Sequence, residues 1–226
     1  MKKIKRKIKA VVFDLDDTLY PESSFQRSGF DFIAQKLRQS RMQITSREIF
    51  QLYQQYPKTL FNELADHYEL PYTAQELIRL YRNHFPRIRI SAEVSETLKK
   101  LKKGYKLGLL TDYFYKTQVN KVKALGIKDF FDCIIYTDKI GAPKPAIKGF
   151  KLIKEKFNAG DRKIIYVGDN EEKDFWGAKK AGFFTVKFAN KDGFHSYKQM
   201  SKMHKAHYEI KKLKGIFRVL EKINQA

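Results

Sequence analysis

The stretch that most constrains this chain is Ala10-Val11-Val12-Phe13-Asp14-Leu15-Asp16-Asp17-Thr18-Leu19. Four apolar residues in a row run into a carboxylate, and a second carboxylate follows two positions later. A short, continuously apolar run of this kind fits a strand buried on both faces, as in a parallel sheet. Open α/β sheets bind ligands beyond the carboxyl ends of their strands, which is where Asp14 and Asp16 fall. Alternation along extended chain puts the two on one side. Two like charges that close are costly unless a cation accompanies them. The stretch predicts a metal site at a strand tip and asks the rest of the chain for partners.

Beyond it the pattern turns helical from about Phe25 to Phe85. Phe25, Phe30, Ile33, Ala34 and Leu37 recur at three- and four-residue spacing, and similar sets follow around Ile49, Leu60 and Leu77. Pro57, Pro71 and Pro86 divide the run into about four helices, with Thr45 and Thr73 as N-caps. No strand pattern interrupts it. Residues 21–90 therefore read as a helical module inserted between two parts of a core, 1–20 and 91–226. From Ser91 onward helices and strands alternate. Strands are predicted at Tyr105–Leu110, Cys133–Tyr136, Ile164–Val167 and Phe184–Phe188. The helices between them run near 92–102, 117–125, 146–157 and 173–181, two of them closed by Gly126 and Gly182. That alternation means βαβ units and a parallel sheet. In the tail, Ile210–Ile223 has helical spacing and 194–207 reads as irregular surface.

The single cysteine, Cys133, excludes an internal disulfide and reads as an inert core thiol in a reducing compartment. The basic segment 1–9 is followed by only four apolar residues before charge returns, too few for a signal peptide. No window approaches the roughly 20 apolar residues of a membrane span, so a cytoplasmic protein with no membrane partner is expected. The net charge of +21 admits two readings. One is a nucleic-acid partner; the other is lysine spread over solvated helix faces, steering a small anionic substrate. Outside 1–9 and Lys211-Lys212-Leu213-Lys214 the lysines are interleaved along amphipathic helices, which favours the second. The pattern carries no signal of oligomeric state.

Two more strand tips are polar: Leu107–Leu110 runs into Thr111-Asp112, and Ile164–Val167 into Gly168-Asp169, with Asp174 five residues on. Between them, Gly141-Ala142-Pro143-Lys144-Pro145 places Lys144 near a helix start, where anions are favoured. One sheet edge thus gathers carboxylates, a hydroxyl and an ammonium. A hard cation such as Mg²⁺ wants the oxygens. A phosphoryl group wants the cation, an ammonium and hydrogen-bond donors.

In order, Asp14-x-Asp16-x-Thr18, an apolar run ending in Thr111, Lys144-Pro145 and Gly168-Asp169-x-x-x-x-Asp174 resemble the four motifs of the haloacid dehalogenase (HAD) superfamily, across roughly Lys9 to Phe188. The resemblance implies an α/β fold: a Rossmann-like parallel sheet with helices on both faces, plus an inserted α-helical cap of the C1 type in the helical block. It implies a Mg²⁺-dependent phosphatase that hydrolyses a small phosphorylated metabolite, a sugar phosphate, nucleotide or similar, through an aspartyl-phosphate. Asp14 would be the nucleophile. Asp16 would protonate the leaving oxygen and then deprotonate water, which requires its site to raise a pKa that starts near ~3.9. Thr111 and Lys144 would hold the phosphoryl oxygens. Asp14, Asp16 through its backbone carbonyl, Asp169 and Asp174 would bind Mg²⁺. The presence of Asp16 favours phosphate esters, since the superfamily's dehalogenases lack an Asp there. Tyr20 and Tyr113 are candidate substrate contacts, as is Asp112, which with Asp17 also reads as a loop brace. Thr18 reads as structural, Phe175 and Trp176 as core, and His204 and His207 as surface. A phosphomutase on the same core is the nearest chemical alternative, and a nucleic-acid-associated protein, binding or end-phosphatase, is the other.

Overall fold

A computed structural model describes residues 7–190 and 201–225; residues 1–6, and 194–200 of the stretch expected to be irregular, lie outside them. The first strand, β1, is Ala10–Phe13. Four helices follow: α1 (Glu22–Gln39), α2 (Ser46–Gln55), α3 (Leu60–His67) and α4 (Ala74–Asn83). The chain then alternates through α5 (Ala92–Lys102), β2 (Lys106–Thr111), α6 (Tyr115–Ala124), β3 (Cys133–Tyr136) and the single turn α7 (Thr137–Ile140). It continues through α8 (Ile147–Lys156), β4 (Ile164–Gly168), α9 (Phe175–Lys180), β5 (Phe184–Phe188), β6 (Tyr208–Ile210) and α10 (Ile216–Gln225).

The six strands among the described residues are all parallel, in the order β3-β2-β1-β4-β5-β6. This is the Rossmann-like α/β fold that the strand and helix alternation leads to. Strand order reverses at β1, whose Phe13 pairs with Leu109 on one side and Val167 on the other. A crevice opens at such a reversal, where the two neighbouring connections leave in opposite directions. The apolar run of β1 has the burial its composition implies. Val11 and Phe13 join one core with Leu98, Val122 and Leu220 of α5, α6 and α10. Ala10 and Val12 join another with Phe150, Ile153 and Phe175 of α8 and α9. Both faces of the strand are covered, so alternation gives two cores and no polar face.

The helical block between β1 and α5 has its own apolar cluster, including Phe30, Ile33, Leu37, Ile49, Leu64 and Leu77. Thr45 and Thr73 cap α2 and α4, each through a reciprocal box with Glu48 or Glu76; a cap of this kind is worth about 1 kcal/mol. At the base of the block Phe25 and Ile88 enter the sheet's core. Polar ties cross the same seam: Thr117 donates to the Arg82 carbonyl at 3.0 Å, and Asn120 to the carbonyls of Asn83 and His84, both at 3.2 Å.

One expectation shifts. Cys133 is half-buried, because β3 is an edge strand; burial still pushes its thiol up, away from the reactive thiolate. His207 is exposed, as expected, and its ring nitrogen accepts from the Thr185 N–H at 3.1 Å, which fastens the start of β6 to β5. Phe175 is fully buried. No described helix is long and apolar enough to cross a membrane.

Candidate active site

The site is built on the tips of β1 and β4. Asp14 leaves β1 with its N–H donating to the Val167 carbonyl at 2.9 Å, so the two tips stay locked together. Asp169 follows β4 directly. Gly168 is required there, because a Cβ would lie 2.3 Å from the Asp174 carboxylate. That space lets Asp174 reach back from the start of α9. Its Oδ2 accepts from the Asn170 N–H at 2.9 Å, and its Oδ1 accepts from the Tyr166 hydroxyl at 3.0 Å.

Lys144 arrives from the loop between α7 and α8. Asp112 steers this loop: its Oδ1 accepts from the Lys144 N–H at 3.1 Å and from the Thr137 hydroxyl at 2.8 Å. Gly177 admits the next residue, since a Cβ there would meet the Pro145 carbonyl at 2.3 Å. The Lys144 ammonium donates to Asp14 at 2.7 Å, to Asp174 at 2.8 Å and to the Tyr166 hydroxyl at 3.1 Å. It is 7% exposed.

Asp14, Asp169 and Asp174 are all buried and bring carboxylate oxygens within 4.8 Å of one another. The Lys144 ammonium serves two of them directly, Asp14 and Asp174. Burial pushes Asp14 up to about 8 against the pull of Lys144, with the Asp174 charge adding to the rise. Burial, then the charges of Asp174 and Asp14, push Asp169 up to about 9. Three buried carboxylates offer only oxygen donors, and such a set suits a hard divalent cation.

This has a consequence for stability. An acid whose pKa is higher folded than unfolded makes the folded state bind the extra proton, so stability falls as pH rises towards the folded value. Without divalent cations the thermal midpoint is expected to fall as pH rises from about 4, the ordinary carboxylate value, towards about 8 for Asp14 and about 9 for Asp169. Saturating Mg²⁺ should flatten that slope. Thermal melts with and without chelator check it; parallel slopes would mean the cluster takes no cation.

Asp16 turns away from this cluster. Its Oδ1 accepts from the Tyr20 hydroxyl at 2.5 Å and the Lys121 ammonium at 2.7 Å, and its Oδ2 from the Gln118 amide at 2.8 Å. The two neighbouring aspartates thus have a lysine each. The expected rise in the Asp16 pKa is reversed. Burial does push it up, but the Lys121 charge and the hydrogen bonds from Lys121, Tyr20 and Gln118 outweigh that and hold it below the usual carboxylate range.

Lys121 and Gln118 are the residues that sequence reading misses. Lys121 is 1% exposed and lies 4.3 Å from the centre of the Phe25 ring, so it links α6, the helical block and Asp16. Gln118 also donates to the Thr111 hydroxyl at 2.5 Å, while its own Oε1 has no partner among the described residues. The available signal was their i, i+3 spacing on the buried stripe of α6.

A cavity of about 340 Å³ opens over the strand tips. Asp14, Asp16, Asp112, Tyr113, Lys144 and Asp169 line it, joined by Glu22, Asn170 and Lys173. Thr111, Asp174 and Tyr20 lie behind the wall: all are buried, and the Tyr20 hydroxyl is spent on Asp16. Thr18 donates to Asp169 at 3.3 Å, and Asp17 accepts from the Glu22 N–H at 2.9 Å, so both brace the loop after β1. Burial and the nearby Asp16 push Glu22 up to about 7.

A family model described as haloacid dehalogenase-like hydrolase matches residues 11–188. The glyceraldehyde 3-phosphate phosphatase of Pyrococcus furiosus is 30% identical over 231 aligned positions, covering 97% of this chain and 95% of its own. The protein of the same name from Methanocaldococcus jannaschii is 26% identical, covering 96% and 99%. Among solved structures, a HAD phosphatase from Thermococcus onnurineus matches with a TM-score of 0.61 at 26% identity, covering 94% of this chain and 98% of that one.

Proposed function

This chain belongs to the haloacid dehalogenase-like hydrolases, and on that footing we propose that it is a Mg²⁺-dependent phosphatase acting on a small phosphorylated sugar. Glyceraldehyde 3-phosphate, named for two of its relatives, is the first candidate. The observation that carries the reading is the Asp14 carboxylate on the cavity wall, with one oxygen on Lys144 at 2.7 Å.

Asp14, Asp169 and Asp174 would hold Mg²⁺, which when bound supplies charge neutralisation at the phosphoryl oxygens. Asp14 attacks phosphorus with the oxygen that Lys144 leaves free, and the ester oxygen departs with a proton from Asp16. Asp16 then takes a proton from water as that water attacks the aspartyl-phosphate, releasing phosphate and restoring Asp14. Lys144 holds the transferring group against its developing charge. Held ionised by Lys121, Asp16 is set for the second of these steps. To serve the first it must gain a proton, which loosening of its bonds to Lys121 and Tyr20 would favour. Tyr20 precedes the helical block and Lys121 touches Phe25 within it, so movement of that block as a cap would reach Asp16 directly.

Asp16→Asn should therefore separate substrates by leaving group. Hydrolysis of an alkyl phosphate is expected to fall by about 10²- to 10⁴-fold. p-Nitrophenyl phosphate, whose leaving group needs no proton, should lose far less in the step that forms the phosphoenzyme. Burst amplitudes and steady-state rates on the two esters check this, and equal losses on both in that step would remove Asp16 from the acid role. The function itself is tested by phosphate release from a panel of phosphorylated sugars, glyceraldehyde 3-phosphate included, with Mg²⁺ and with chelator. No metal-dependent release from any of them would overturn it.

A further inference from the structure

Among the described residues, one acidic side chain on the cavity wall accepts no hydrogen bond at its carboxylate. Glu22 opens α1 with its N–H held by Asp17, yet among the described residues nothing donates a hydrogen bond to its carboxylate. It is half-buried, and it lines two cavities. One is the space over Asp14; the other, also about 340 Å³, runs up into the helical block beside Phe25, Tyr53 and Tyr81. Tyr113 is the other residue common to both. Its φ of 92° is a conformation that a bulky residue rarely holds, and strain of that kind gathers at ligand sites. Glu22 and Tyr113 thus form the neck between the phosphoryl site and a pocket large enough for the rest of an ester.

Resting on the phosphatase reading, we infer that Glu22 is a specificity-determining residue: it accepts hydroxyl hydrogen bonds from an uncharged, polyol-type leaving group and turns away esters that carry a carboxylate near the phosphorylated carbon. An ionised carboxylate is acceptor-only, so a hydroxyl-bearing group satisfies it. A second anion at the neck meets a like charge with part of its water removed. The charges around Glu22 do not cancel that effect. Asp16 and Asp17 add to it, Lys121 is taken up by Asp16, and Lys173 is solvent-exposed. Of the cations lining the upper pocket, Lys58 is exposed and Arg82 is stacked on the Phe114 ring at 3.8 Å; neither lines the lower cavity.

The test compares glycerol 3-phosphate with 3-phosphoglycerate, which differ in a hydroxymethyl against a carboxylate. Dissociation constants are measured by calorimetry with Mg²⁺ at pH 8, where Glu22 is ionised, in an Asp14→Asn background that does not turn the esters over. Glycerol 3-phosphate should bind about tenfold more tightly or better. Adding Glu22→Gln should bring the ratio close to one, mainly through tighter binding of 3-phosphoglycerate. A ratio unchanged by the second substitution, or no binding of either ester, overturns the assignment. Failure of the wild-type enzyme to release phosphate from any ester is a separate result, and it rejects the phosphatase reading on which the assignment rests.

Discussion

Asp14→Asn is expected to lower phosphatase turnover by on the order of 10³-fold or more, the scale on which removal of a nucleophile acts, while leaving the protein folded. The amide has no oxygen able to form an acyl phosphate, so the covalent step has no substitute. The fold has little to lose. Asn can still accept from Lys144 at the position where Asp14 does so at 2.7 Å. The change also removes one of three crowded carboxylates, and Asp14 is itself one of the two, with Asp169, that burial pushes up. In chelator at pH 9, where the wild-type carboxylates repel most, the variant's thermal midpoint should equal or exceed that of the wild type. Acid quench after mixing with radiolabelled ester should trap label on the wild-type protein and none on the variant. A variant with normal turnover would move the chemistry elsewhere, and one that fails to fold would make Asp14 a structural ligand of Lys144.

The ease with which Asp14 can be read from sequence, and the difficulty with Lys121, have one physical origin. A strand covered on both faces must be apolar throughout, so the first carboxylate after Val11, Val12 and Phe13 marks its tip without ambiguity. Lys144 and Asp169 stand out for a similar reason, at punctuated positions beside Pro145 and Gly168. Lys121 has no such contrast. The chain has 46 Lys and Arg residues, and one more on a helix is unremarkable until the fold shows it buried against Phe25 and Asp16. Alternation puts Asp14 and Asp16 on one cavity, as both line it, but it does not carry further, because regular strand ends at Phe13. The chain turns through Asp17 at φ 53°, and the Leu19 N–H returns to the Leu15 carbonyl. The same turn folds Tyr20 onto Asp16 and away from the cavity. α7 and β6, at four and three residues, are too short to carry a period of their own. The capped helices α2 and α4 are legible because Thr45-x-x-Glu48 and Thr73-x-x-Glu76 state their own starts.

Lys144→Met should be the most destabilising single change at the site, and the size of the loss should depend on metal and pH. Methionine has nearly the length of lysine, so the packing loss is small and the effect is one of charge. The ammonium is the common partner of Asp14 and Asp174, both buried, at 2.7 and 2.8 Å. Removing one partner from a buried ion pair costs about 3–5 kcal/mol, because the remaining charge has neither water nor counter-ion. For a chain of this size that corresponds to a fall of about 10 °C in thermal midpoint. Two agents can substitute for the missing ammonium. At low pH protons neutralise the carboxylates, so the loss should shrink towards pH 5 and be largest near pH 9. At neutral pH Mg²⁺ supplies the positive charge instead, and it should restore most of the midpoint lost in chelator. It should not restore turnover, because the transferring phosphoryl group would still lack the ammonium that holds its oxygens. Differential scanning calorimetry with and without Mg²⁺ at the two pH values, beside a phosphate-release assay, separates these effects. A midpoint insensitive to Mg²⁺ would mean that the three carboxylates are not a cation site. Turnover rescued along with stability would reduce Lys144 to a structural counter-ion and leave phosphoryl stabilisation to other groups on the cavity wall.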